Sequence, residues 1–215
     1  MPTESYLLKG AQKSLVEKLR KKGITDENVL KAMLSVQRHL FIESFLWHKA
    51  YDDIPLPIYC EQTISQPFTV AFQTQLLSVK KGDKILEIGT GSGYQAAILE
   101  AMGAKVYTIE RQAELYEHTK KLLSGLAPRS VLWYGDGFKG LPNYAPFDKI
   151  IVTCGAPNIP QILLEQLNPT GIMVIPVGLG EQVMKRITKI DEHTYKEEDF
   201  GNFIFVPMLE NTVKM

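Results

Sequence analysis

Cysteine is nearly absent from this sequence: Cys60 and Cys154 are the two thiols in 215 residues. They lie far apart and form no C-x-x-C pair, which argues against a disulfide-framed scaffold and for free thiols in a reducing compartment. Histidine is also sparse. His39, His48, His118 and His193 have no ligand spacing, so no zinc site is visible and surface or packing roles are expected for all four. Charge of one sign has no excess, because 24 Lys and Arg balance 24 Asp and Glu. A zero balance argues against nucleic acid as a partner. No uninterrupted apolar run reaches the roughly 18 residues of a membrane-spanning helix, and residues 1–5 lack the basic-then-apolar pattern of a secretory leader. These absences lead us to expect a cytoplasmic protein that does not engage membranes; a monomer is expected as well, although nothing in the sequence sets the oligomeric state.

With 45% hydrophobic residues in 215, the chain holds enough for one sizeable core and too little for two. A single domain over 1–215 is expected, with a helical extension and a covering loop in 1–80 and an α/β sheet in 81–215. Leu15, Val16 and Leu19 recur at helical spacing between Ala11 and Lys22, and Gly23 stops the run. Thr25-Asp26 reads as the N-cap of a second helix carrying Val29, Leu30, Met33 and Leu34. From Asp53 to Pro67 the chain carries three prolines and no period, which marks a functional loop. Pro67 should then open a helix running to Leu77.

After Lys84 the pattern changes. Short apolar strands at Lys84–Ile88, Lys105–Ile109, Val131–Tyr134, Lys149–Thr153 and Gly171–Pro176 alternate with helices at Gly93–Met102, Arg111–Leu123 and Pro160–Leu167. Such alternation calls for a mostly parallel sheet covered on both faces. Val183–Ile190 and Phe203–Val206, with a polar turn between them, read as antiparallel strands at one edge. The fold class is a doubly wound, Rossmann-like α/β sheet with a helical N-terminal extension.

Glu87-Ile88-Gly89-Thr90-Gly91-Ser92-Gly93-Tyr94 stands between the first of these strands and its helix. Alternate glycines allow a tight turn and close approach to a ligand at the strand's carboxyl end. Glu110 ends the next strand, 21 positions after Gly89, where an acid meets ribose hydroxyls. The glycine spacing does not suit a dinucleotide, since Tyr94 stands where that fingerprint needs its third glycine. Glu87 would repel a pyrophosphate and attract an ammonium, and Asp136 in Gly135-Asp136-Gly137 suits an adenine amino group. Together these favour S-adenosylmethionine over a nicotinamide dinucleotide.

The sequence resembles the protein-L-isoaspartate O-methyltransferase family over nearly its whole length. Leu86–Tyr94 looks like the family's first cofactor motif, which by itself implies only a class I methyltransferase. The more specific match is upstream, in Leu56-Pro57-Ile58, Gln62-Thr63-Ile64-Ser65-Gln66-Pro67 and Val70-Ala71. Pro146-Phe147-Asp148, Val152-Thr153, Ala156-Pro157, Pro176-Val177-Gly178 and Phe205-Val206-Pro207 follow in the family's order. The resemblance implies that Gln62, Thr63, Ile64 and Ser65 cover the cofactor and that Ser65 is catalytic. Glu87, Gly89, Thr90, Gly91, Ser92, Glu110, Arg111, Asp136 and Gly137 would complete the S-adenosylmethionine site, with Glu110 on the ribose and Asp136 and Gly137 framing the adenine. Phe205 and Val206 would line the peptide-binding surface. Three departures stand out: Tyr59 and Glu61 replace glycines before Gln62, Gln37 replaces a proline before Arg38-His39, and Pro169-Thr170-Gly171 replaces Pro-Gly-Gly. The first questions the loop's conformation, because a non-glycine at positive φ is costly; the other two look tolerable.

The implied substrate is an isoaspartyl residue with a free α-carboxylate, anionic at neutral pH. Methylating it needs alignment and desolvation but no general base, which fits the missing catalytic clusters and predicts a pH-independent methyl-transfer step. A methyltransferase for RNA or a small molecule, a nicotinamide oxidoreductase and a non-catalytic binding module are the competing readings.

Overall fold

The computed structural model describes residues 2–214, with side chains from Tyr6 onward. Helices α1 (Pro2–Lys21) and α2 (Glu27–Ser35) open the chain. α1 begins well before the expected Ala11, because the helix continues through Gly10. Asp26 caps α2 as expected, accepting the N–H groups of Asn28 at 2.8 Å and Val29 at 3.4 Å. Two 3₁₀ turns, Arg38–Phe41 and Ser44–Lys49, lead to a small hairpin of β1 (Leu56–Pro57) and β2 (Thr63–Ile64), and α3 (Pro67–Leu77) follows. The loop expected over Asp53–Pro67 is therefore ordered backbone, closed by its own antiparallel pairing of Leu56 with Ile64.

The sheet then forms from β3 (Lys84–Ile88), β4 (Lys105–Glu110), β5 (Val131–Tyr134), β6 (Phe147–Val152), β7 (Leu167–Val177), β8 (Gln182–Lys189) and β9 (Tyr195–Phe203). Helices α4 (Tyr94–Ala101), α5 (Ala113–Leu126) and α6 (Gln161–Glu165) connect the parallel strands. Strand order is β5-β4-β3-β6-β7-β8-β9, parallel through β7 and antiparallel beyond it. The winding reverses between β3 and β6, and ligands bind outside the carboxyl ends of the strands at such a switch point.

Several element boundaries differ from the sequence reading, each for a local reason. α5 starts at Ala113 and not at Arg111, because Gln112 pairs with Val213 and gives its N–H to Glu110. α6 ends at Glu165, because Leu167 already pairs with Phe147 in the sheet. The antiparallel edge is the main correction. The stretch expected as a polar turn is most of β9, Phe203 is that strand's last residue, and Ile204–Val206 is the segment leaving it. β9 is one edge of the sheet, opposite β5, and here Lys185 meets Asp199 at 2.8 Å and Lys196 meets Glu198 at 2.8 Å. Charged side chains on an edge strand hide its period from an apolar pattern search and discourage pairing with another chain.

Two apolar layers cover the sheet. Ile85, Val106, Ile151 and Val174 face the layer that includes residues of α1–α4, whereas Leu86, Ile88, Ile150 and Met173 face the layer with α6. The alternation along β3 has a consequence: Glu87 falls on the same face as Ile85, a core position, and is fully buried.

Candidate active site

The glycine loop leaves β3 in a conformation that its residues dictate. Gly89 and Gly93 have φ of 93° and 84°. A Cβ at Gly89 would stand 2.7 Å from the Thr153 hydroxyl, and one at Gly93 would stand 2.8 Å from Leu123. Both positions therefore require glycine. Gly91 is also left-handed, with φ of 53°, although a Cβ there would meet nothing nearer than Ile58 of the covering hairpin at 3.8 Å. Glu110 holds the loop down: its carboxylate, only 5% exposed, accepts the N–H of Gly91 at 2.9 Å and of Gln112 at 2.9 Å. Burial raises its pKa, opposed by these N–H groups.

A pocket of about 240 Å³ opens here. It is lined by Gln62, Thr63, Ile64 and Ser65 from the hairpin, by Glu87, Gly89, Thr90, Gly91 and Ser92 from β3 and its loop, and by Glu110, Arg111, Gly137 and Val206. The structure thus gathers nearly all the expected site residues on one cavity. Two stand apart. Asp136 is not in the lining, and its carboxylate accepts the N–H groups of Phe138 at 3.0 Å and Asn211 at 3.0 Å. Phe205 is likewise outside the lining; its N–H goes to Gln182 at 2.9 Å.

Sequence reading missed other members of the wall. Val70 and Gln73 come from α3, Tyr94 and Gln95 from α4, Thr153 and Cys154 from the end of β6, and Pro207, Met208 and Leu209 from the last segment. Val70, Tyr94, Thr153 and Pro207 lie in the family-like motifs without a site role there, and Cys154 follows the strand end beside the site; Gln73 is announced by no local pattern and is placed by donating to the Val152 carbonyl across 79 positions of sequence at 2.9 Å. The Cys154 thiol is pushed up to about 12 by burial, which leaves it an inert wall residue.

Glu87 is the exceptional group. Neither of its carboxylate oxygens has a hydrogen-bond partner among the described residues. Burial first, and the charge of Glu110, raise its pKa to about 8 against the nearby Thr108 hydroxyl, which lowers it. A fully buried carboxylate without a partner costs several kcal/mol, so this pocket is complementary to something cationic or hydrogen-donating.

The covering hairpin is held in place from both ends. Gln62 donates its N–H to Tyr59 at 3.2 Å, closing a turn whose central residues, Cys60 and Glu61, have φ of 57° and 55°. This is a type I′ arrangement, normally given to Asn-Gly. The Tyr59 ring lies 4.2 Å from the His118 ring on α5. At the other end, the fully buried Arg38 donates to the Ser65 carbonyl at 2.8 Å and the Ala50 carbonyl at 3.0 Å, with its guanidinium 5.0 Å over the Tyr94 ring. Ser65 does not cap α3. Gln66 holds that position, and Asp53 accepts the Phe68 N–H at 2.8 Å. The Ser65 hydroxyl makes no hydrogen bond to another described residue and is left to the cavity.

The comparisons agree with this geometry. A Flavobacterium psychrophilum protein-L-isoaspartate O-methyltransferase is 55% identical over 203 residues, which is 94% of this chain and 95% of the relative. Its Christiangramia forsetii counterpart is 53% identical over 209 residues, 97% of this chain and 98% of the relative. Among solved structures, a protein-L-isoaspartate O-methyltransferase at 28% identity superposes with a TM-score of 0.85, over 93% of this chain and 66% of that longer one. A Plasmodium falciparum structure described as such an enzyme, in complex with S-adenosyl-L-homocysteine, is 27% identical with a TM-score of 0.78 and covers 93% and 99% of the two chains. The sequence matches the family description Protein-L-isoaspartate(D-aspartate) O-methyltransferase (PCMT) over residues 10–213. The switch-point pocket, the covering hairpin and the sequence match converge, and this chain belongs to the protein-L-isoaspartate(D-aspartate) O-methyltransferase family.

Proposed function

We propose that this chain transfers a methyl group from S-adenosylmethionine to the free α-carboxylate of L-isoaspartyl residues in damaged proteins and peptides, beginning their repair through a succinimide. The observation that carries the reading is the single cavity shared by the unpartnered buried Glu87 carboxylate and the hydroxyl-bearing segment Gln62–Ser65. Glu87 fits the ligand's ammonium and Glu110 its ribose hydroxyls. Gly137 and Ile109 supply close-packed walls for the adenine, with Asp136 fixing that loop and the C-terminal segment together. When bound, S-adenosylmethionine supplies the electrophilic methyl group.

The chain's residues then have a modest task. The α-carboxylate needs no base, having a reference pKa of about 3.5. The Ser65 hydroxyl donates to one carboxylate oxygen and leaves the other free to accept the methyl group. The hairpin excludes water from both charges, which strengthens every electrostatic contact inside. Val206 and the adjoining Phe205 border the opening through which the substrate carboxylate enters. Hydrolysis of the later succinimide follows from substrate chemistry and needs no residue here.

The same reading takes the chain to act as a cytoplasmic monomer on protein substrates and not on nucleic acid or membranes. Its zero formal net charge gives no field for nucleic acid, and among the described residues no helix is long and apolar enough to cross a membrane. The test is a methyl-transfer assay on paired hexapeptides of identical sequence, one isoaspartyl and one aspartyl. Methylation of the isoaspartyl peptide alone is expected; equal methylation of both, or of neither, overturns the assignment.

A further inference from the structure

Leu179 and Ile204 are the two most exposed large hydrophobic side chains among the described residues, at 86% and 85%. They stand at the same corner. Leu179 lies in the turn joining β7 to β8, and Ile204 follows β9; the pairings Val177–Val183 and Gln182–Phe203 bring both beyond one end of the strands. β7 runs parallel to β6 and β3, so this end is the one where the cavity opens. Ile204 is two positions before Val206, a cavity-lining residue.

Neither side chain sits on loose backbone. A Cβ at Gly178 would stand 2.8 Å from the Glu181 carbonyl oxygen, so the turn carrying Leu179 is tightly closed. Gln182, 3% exposed, joins the two segments: its amide N–H donates to the Gly180 carbonyl at 2.6 Å, and its amide oxygen accepts the Phe205 N–H at 2.9 Å. The neighbours of Ile204 are fixed as well. Phe203 stacks on Phe72 at 5.6 Å, and Phe205 packs against Phe203 at 6.4 Å. Two aliphatic side chains are thus held rigidly in water beside the substrate opening, on a framework that gains no core packing from them.

We propose that Leu179 and Ile204 form an apolar rim that selects isoaspartyl substrates by the residue next to the isoaspartate, favouring a large apolar neighbour. The inference rests on the carboxylate-entry reading above and adds a specificity determinant to it. Because the substrate is itself a polypeptide, once its α-carboxylate is in the cavity the next residue must lie on the rim. Extended chain advances about 3.3 Å per residue, so Ile204 stands about 7 Å along the wall from Val206, within reach of an adjacent side chain. The nearby carboxylate of Glu181, which accepts from Asn202 at 3.1 Å, disfavours an acidic neighbour. Small changes in apolar contact discriminate by roughly 10-fold or more inside a closed pocket; on an open rim about 5-fold is expected.

The test uses matched isoaspartyl hexapeptides carrying Leu, Ser or Glu beside the isoaspartate, on each side in turn. They are assayed with the full-length wild type and the Leu179→Ser/Ile204→Ser double variant, whose exposed substitutions leave the core intact. Wild type is expected to prefer Leu over Ser by about 5-fold in kcat/KM, through KM, with Glu poorest. The double variant should lose the preference while keeping kcat and S-adenosylhomocysteine affinity. Absence of a preference in wild type, or its survival in the variant, overturns the proposal. So does an equal loss on all peptides, or a dimer in sedimentation that the variant disrupts, since the rim would then serve the site's shape or a second copy. A wild type that methylates no isoaspartyl peptide would instead overturn the activity itself.

Discussion

At the amino end of α3 two polar residues divide their roles, and the division sharpens what a substitution should do. Asp53, 7% exposed, accepts the Phe68 N–H and pairs with Lys22 at 2.5 Å, so the helix end is satisfied from another segment. The Ser65 hydroxyl contributes nothing to the cap. Ser65→Ala should therefore change folding stability by less than about 0.5 kcal/mol. Its single-turnover rate should fall roughly 30- to 150-fold, the equivalent of about 2–3 kcal/mol of lost orientation in the transition state, with cofactor affinity little changed. Asp53→Ala should behave in the opposite way, losing at least about 1 kcal/mol of stability with the cap. Thermal denaturation and rapid-quench turnover on both variants decide this; a Ser65→Ala protein of near-normal rate removes that residue from catalysis. Glu110→Ala combines both kinds of effect, because the carboxylate holds Gly91 and Gln112 as well as the proposed ribose. Calorimetry should show S-adenosylhomocysteine binding weaker by roughly 1.5–3 kcal/mol, and an unchanged affinity would exclude the ribose contact.

Strain is stored in two turns, at Cys60-Glu61 and at Thr170, where residues other than glycine take a positive φ. The family resemblance directs attention to Tyr59 and Glu61, but φ is positive at Cys60 and Glu61 and not at Tyr59. The chain accommodates Pro169-Thr170-Gly171 within β7, at the cost of a φ of 64° at Thr170. The left-handed region costs an L residue roughly 1–2 kcal/mol, and more for a β-branched one. Thr170→Gly is expected to stabilise the protein by about 1 kcal/mol, raising Tm by roughly 2–4 °C, with turnover unchanged because the turn lies far from the glycine loop. A lower Tm would contradict the strain. Glu61→Gly relaxes the turn that covers the cavity, so it should weaken cofactor binding even where it stabilises the fold. Elements were legible in sequence where the chain ran apolar: the buried β3, β4, α3 and α4 fall within a residue of their expected ends, and so does β5, an exposed edge strand whose four residues are all hydrophobic. β9 was not, because an edge strand carries charge on a backbone whose pairing comes from β8. The start of α5 was hidden for a similar reason, its first residues being held by Val213 about a hundred positions away.

At the scale of the whole molecule, the site's chemistry was legible and its full wall was not. Glu87, Glu110 and the Gln62–Ser65 segment sit in local motifs, whereas Gln73 and Leu209 reach the cavity only through the winding of the sheet. The fold also gives Glu87 a property that its motif does not reveal. The period of β3 places it in the core, where its pKa rises to about 8, above the reference carboxyl value of about 4.3. A raised folded pKa makes this group's contribution to stability complete below about pH 4, and that contribution is lost as pH climbs through 8. Ligand-free protein should therefore lose stability across this range, each pKa unit being worth about 1.4 kcal/mol. Binding reverses the requirement, because a ligand ammonium beside Glu87 favours the ionised carboxylate. S-adenosylhomocysteine should bind with release of a proton near neutrality, and its affinity should rise with pH up to about 8. Above that the ligand's own amino group, near the α-amino reference of about 8, begins to lose its charge. The expected pH-independence then belongs to kcat at saturating cofactor, while cofactor KM tightens with pH. Calorimetry in buffers of different ionisation enthalpy reads the proton directly, and thermal shifts from pH 6 to 8 should show a ligand stabilisation that grows with pH. Glu87→Gln should abolish both signatures and make the ligand-free protein less sensitive to pH. If the wild type releases no proton, or Glu87→Gln retains the same pH slope, then the buried carboxylate is not the partner of the ligand's ammonium.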